Sequence, residues 1–91
     1  MLAKLTEIYP LPLQTGRSFG LREIYINPGS VSMIRLEPNM KRHLTEGALP
    51  DGLDERIEFS RIAVGSAQIV VVGSPYVIEQ TLKETKHLLK G

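Results

Sequence analysis

The sequence predicts a small α+β domain, a curled and mainly antiparallel sheet of about five strands with one C-terminal helix packed on it. Three observations carry this. Two alternating apolar segments flank the corner Asn27-Pro28-Gly29-Ser30, a pair of β-rich segments flanks Gly65-Ser66, and an apolar helical stripe follows Ser74-Pro75.

Residues 2–9 are ambiguous, because Leu2, Leu5 and Ile8 recur at a spacing of three while Leu5, Thr6 and Ile8 also suit an edge strand; strand is the reading taken. Pro10, Pro12, Gly16 and Gly20 break the stretch that follows and mark a loop ending at Leu21. From Arg22, residues 22–26 alternate Arg22, Ile24 and Ile26 against Glu23 and Tyr25, a half-buried strand with its isoleucines inward. Asn27, Pro28 and Gly29 then form a structural corner. Proline fixes φ, glycine admits positive φ, and an Asn side chain satisfies a nearby backbone group, so the chain reverses or bends there. Residues 31–37 make the next strand, with Ser32, Ile34 and Leu36 on one face and Val31, Met33 and Arg35 on the other.

The segment 38–55 has low apolar density and contains Gly47, Pro50 and Gly52, so it reads as a long loop or insertion within a single domain spanning 1–91. It changes sign along its length, from Lys41, Arg42 and His43 to Glu46, Asp51, Asp54 and Glu55. Such charges are ordinarily a solvated loop surface. Residues 56–64 read as strand, but Ile57 and Phe59 share one parity and Ile62 and Val64 the other; a bulge near Ser60 would bring both pairs to one face. Gly65-Ser66 fits a type II′ turn into residues 67–72, Ala-Gln-Ile-Val-Val-Val, a strand hidden on both faces. Ser74 is placed to cap a helix over 75–90, with Pro75 where a missing N–H is harmless and Glu79 near the positive end. Its stripe is Ile78, Leu82, Thr85 and Leu89, flanked by Val77 and Leu88.

At 91 residues, with three tyrosines, two phenylalanines and no tryptophan, the core is thin and aliphatic. A domain this small buries proportionally little of its surface, and association is one way to add burial. The formal charge of +1 excludes a general positive field of the kind non-specific nucleic-acid binders use. Without cysteine there is no disulfide, thiolate nucleophile or Cys-based zinc site. The N-terminal residues lack a membrane-length apolar run and a small-residue cleavage site, so the expectation is a soluble, cytoplasmic chain with no membrane association.

The order of a strand ending in Tyr25-Ile26-Asn27-Pro28, a strand with Val31 and Ile34, the strand Ile69-Val70-Val71-Val72, then Ser74-Pro75 with Val77-Ile78 resembles the FlbD-like family. These are small proteins of flagellar operons and, in related forms, of phage genomes. The resemblance implies a compact sheet with a closing helix, no enzymatic activity and a phage-type or motility-linked origin. Relative to that pattern, residues 39–56 stand as an insertion and residues 1–18 as a longer opening.

The chemistry-bearing residues are sparse. His43 and His87 lack metal-ligand spacing, no G-x-S-x-G elbow or phosphate loop is present, and neither a catalytic residue, a metal nor a cofactor is expected. Binding remains, in three forms. The first is a non-catalytic assembly module that forms a homo-oligomer or contacts another protein through strand edges. The second is sequestration of a small anionic, nucleotide-like ligand at a subunit interface, held by residues drawn from Arg35, Lys41, Arg42, His43, Arg56 and Arg61. On that reading Arg42→Ala and Arg61→Ala remove the ligand and leave the fold intact. The third is a nucleic-acid-binding regulator using the same basic patch, weakened by the near-neutral charge and the scarcity of aromatic platforms beyond Tyr25 and Phe59.

Overall fold

A computed structural model describes residues 1–12, 19–45 and 56–90. In chain order the elements are β1 (Ala3–Pro10), β2 (Phe19–Ile26), a 3₁₀ turn (Pro28–Ser30), β3 (Val31–Leu36), α1 (Pro38–Thr45), β4 (Phe59–Val64), β5 (Ala67–Val72) and α2 (Pro75–Lys90). The strands form one antiparallel sheet in the order β2-β1-β5-β4-β3, with α2 packed on it, the predicted fold class.

Strand order and direction together require the sheet to curl. Every neighbouring pair is antiparallel, so the two edge strands β2 and β3 run the same way. In a flat sheet they would lie about 19 Å apart, and the chain would also have to travel back along the strand. Between Ile26 and Val31 it has only the four corner residues, whose reach is at most about 17 Å. The corner therefore bends the chain, and β3 continues in the direction of β2. Asn27 holds the bend: its side-chain Oδ1 accepts from the Gly29 N–H at 2.9 Å, and its carbonyl accepts from the Ser30 N–H at 2.9 Å. Pro28 is buried beneath it.

The curled sheet has an apolar cluster on each face. On the face that carries α2, Ala3, Leu5, Ile26, Ile62 and Val71 pack against Ile78 and Leu82 of the helix, with Ile24, Val31 and Ile34 at the margin. Burying Ile78 and Leu82 stabilises the docked helix by about 1.5–3 kcal/mol each. On the opposite face Ile8, Phe59 and Val70 are joined by Phe19, Leu21, Ile57, Val72 and by Met40 of α1.

These two clusters correct the expected bulge at Ser60. Phe59 and Ile62 have opposite parity because each serves a different face, and β4 pairs with β5 in unbroken register from Phe59–Val72 to Val64–Ala67. The irregularity lies instead in the β3–β4 ladder between Val31 and Met33, and it brings Val31 to the same face as Ile34. Ser60 is fully buried and its hydroxyl donates to the Gly73 carbonyl at 2.7 Å. Two boundaries also move. β2 begins at Phe19, inside the expected loop, because Phe19 and Leu21 supply the second cluster; β4 begins at Phe59, after Ile57.

The hairpin turn and the cap stand as expected. Gly65 has φ +59° and no described non-glycine residue has positive φ, the sign pattern of a type II′ turn with glycine first. Ser74 Oγ accepts from the Val77 N–H at 3.3 Å. Val77, expected to flank the buried stripe, is 51% exposed. The side chains of Lys86, His87, Leu88 and Leu89 lie outside the described residues.

Candidate binding surface

Residues 38–45, expected within a loop, form α1. Pro38 supplies a pre-set φ at its start, and Met40 gives it an apolar anchor on Phe59's face of the sheet. Residues 46–55, with the acidic half of that segment, lie outside the described residues.

The structure brings part of the basic set together at one end of the β3–β4 pair. Arg35 and Arg61 are direct cross-strand partners. Like charges placed opposite each other repel, so an anion is required nearby. Glu37 supplies it. The residue is 7% exposed, and its carboxylate accepts from Arg61 Nη2 at 3.0 Å and from Nε at 3.4 Å. The hydrogen bond from Arg61 holds this carboxyl below the usual range; burial pushes the other way, and the charges of Arg61 and Arg35 add to the lowering. The backbone fixes the same spot, since the Glu37 N–H donates to the Phe59 carbonyl at 2.8 Å. Lys41 and Glu58 line a cavity of about 90 Å³ beside it, floored by Phe59 and Leu36.

The other expected residues scatter. Arg42 is exposed on α1, and Arg56 is exposed ahead of β4. His43 turns to the sheet, its ring 4.9 Å from that of Phe19 at 49°. Among the described residues no group of three or more His, Asp or Glu has metal-binding geometry, and no helix is long and apolar enough to cross a membrane.

Arg61 is thus committed to Glu37, so Arg61→Ala is expected to cost stability as well as remove a cation. The truncation strands a buried carboxylate. Glu37 was missed because a lone acid between an apolar strand and Pro38 looks like any solvated loop charge. Its depth comes from the curl of the sheet and the placement of α1.

A roomier site lies on the other face. An open groove of about 370 Å³ runs between β3 and α2, lined by Pro28, Val31, Met33 and Ile34 on one side and Leu82 with Glu79 and Lys83 on the other. Its lysine is already paired, Lys83 Nζ to Glu79 Oε1 at 3.0 Å. The sheet itself separates this volume from Arg35 and Arg61. A further polar group sits between β1 and β2, where Arg22 Nε donates to Glu7 Oε1 at 2.7 Å and its guanidinium stands 4.2 Å above the Tyr9 ring.

Fold and surface together define a small α+β domain built on a curled, edge-bearing antiparallel sheet. No protein-family model matches the chain, and neither a curated protein nor a solved structure does.

Proposed function

We propose that the chain is a non-catalytic binding and assembly module that acts through homo-oligomerisation and protein–protein contacts. One observation carries this reading: the sheet ends on two strands, β2 and β3, that have a ladder partner on one side only among the described residues. Unsatisfied strand edges are templates for further strands, and apolar side chains stand at both, Leu21 and Ile24 on β2 and Met33 and Ile34 on β3, all half-buried. Association would complete their burial in a chain whose own core is thin. The resemblance to the FlbD-like family adds a phage-type or motility-linked setting to the proposal. Light scattering over a concentration series is the test. More than one chain per particle is expected, and a strict monomer at the highest soluble concentration refutes the reading.

A small anionic ligand is the second reading, favoured by the opposed pair Arg35 and Arg61. Within one chain the cavity beside them is about 90 Å³, below the roughly 300–1,000 Å³ of sites that enclose a small organic molecule, so this reading needs a second subunit to complete the pocket. Native mass spectrometry of protein from a nucleotide-rich lysate tests it, with Arg35→Ala and Lys41→Ala as the variants that remove charge beside the cavity and leave the Arg61–Glu37 pair in place. An added mass lost in both variants supports it; no added mass removes it.

A further inference from the structure

Of the two edges, β3 is the poorer template. Its ladder to β4 is irregular between Val31 and Met33, and α2 packs closely against it, lining the groove with Leu82, Glu79 and Lys83. Irregular ladders and covering helices are standard means of blunting an edge. β2 has neither. It pairs with β1 in unbroken register from Ala3–Ile26 to Pro10–Phe19, contains no proline, and presents Arg22, Glu23 and Tyr25 exposed.

We propose that β2 is a self-recognition edge: two copies of the chain join β2 to β2 antiparallel about a twofold axis at Ile24, giving one continuous sheet across the pair. This rests on the assembly reading above and names its interface. A twofold axis normal to the sheet keeps each face continuous, so only residue-centred registers are available. Charge selects among them. Centring on Arg22 or on Glu23 sets that residue against its own copy, which is repulsive. Centring on Tyr25 pairs only residues 24–26 within β2, because Asn27 and Pro28 lie beyond its end, and it leaves Arg22 and Glu23 outside the new ladder.

Centring on Ile24 pairs residues 22–26 of both chains and sets no charge against its own copy. The half-buried Ile24 side chains face each other, Arg22 faces Ile26, and Glu23 faces Tyr25 twice by symmetry. Each phenol then has a carboxylate to donate to, and each Glu23 keeps Lys4 of its own hairpin, whose Nζ lies 3.3 Å from Glu23 Oε1. Tyr25, 59% exposed in the single chain, becomes covered. Centring on Leu21 also avoids like charges, but it sets Glu23 against Phe19 and leaves Tyr25 outside the paired residues 19–23.

The chain has no cysteine, so cross-linking reads the register directly. Glu23→Cys and Tyr25→Cys are both exposed substitutions, and opposed strand residues lie within disulfide distance. Mixing the two variants under oxidising conditions is expected to shift the band to doubled mass, with either variant alone staying at single mass. Tyr25→Glu sets two glutamates against each other at both symmetric positions while gaining Lys4 as a local partner. It is expected to weaken self-association by about tenfold while the far-ultraviolet circular dichroism spectrum stays that of the parent. A dimer by light scattering that neither cross-links in the mixture nor responds to Tyr25→Glu overturns the β2 edge and leaves assembly standing. Self-cross-linking of Glu23→Cys alone overturns the register. A monomeric parent chain overturns both readings.

Discussion

Arg61→Ala is the most informative test of the packing, because it turns a satisfied ion pair into an isolated buried charge. Breaking a fully buried pair costs about 3–5 kcal/mol. Glu37 is 7% exposed and the Arg61 side chain 27% exposed, and the protein layer over them is thin, so about 2 kcal/mol is expected at neutral pH. For a domain of this size that is about 10 °C in melting temperature, followed by circular dichroism. The pH dependence gives a second, independent readout. In the parent chain the Glu37 carboxyl lies below its unfolded value, so its contribution is present above the unfolded pKa of about 4.3 and lost as pH falls through the folded one. In Arg61→Ala the hydrogen bond is gone and burial remains, which raises the carboxyl, so the variant is relieved by protonation as the parent is weakened. The gap between the two therefore narrows from pH 7 toward pH 4. A loss under about 0.5 kcal/mol, the ordinary range for a surface substitution, or a gap that is the same at both pH values refutes the argument.

Three further outcomes follow from the same contacts. Ile62→Ala, at a fully buried position where β4 meets α2's cluster, is expected to cost about 2–5 kcal/mol in urea unfolding; a smaller loss would place the core elsewhere. Ser74→Ala removes the acceptor for the Val77 N–H and should lower stability by about 1 kcal/mol, with Ser74→Asp largely restoring it. Gly73→Ala should be more damaging than Gly65→Ala. Both have positive φ, +126° and +59°, but a Cβ at Gly73 would lie 3.1 Å from Ile78 Cδ1 and one at Gly65 meets open space. Thermal melts of the two variants decide the order.

Much of the fold was legible where one residue's chemistry fixes a local conformation. Asn27, Pro28 and Gly29 announced a corner, Gly65-Ser66 a tight hairpin, and Ser74-Pro75 a helix start; each depends on contacts within a few residues. Misreadings fell where the deciding contact was remote. The two parities around Ser60 suggested a bulge because a single buried face was assumed, whereas Met40 of α1 and Phe19 of β2 provide a second one. Of the expected basic site, Arg35 and Arg61 do meet, while His43 turns inward to Phe19 and Arg42 stays on the surface.

By itself the sequence determined the five strands, the closing helix and the places where the chain must turn, because backbone φ and hydrogen-bonding preferences act over three or four residues; α1, held by the remote contact of Met40 with Phe59's cluster, read as loop. Tertiary structure alone decided that the corner bends the chain, that Glu37 is buried under Arg61, and that β2 has a ladder partner on one side only among the described residues. Each of those depends on which distant strands lie side by side. A pattern of period two fixes a strand's faces and leaves its neighbours undetermined.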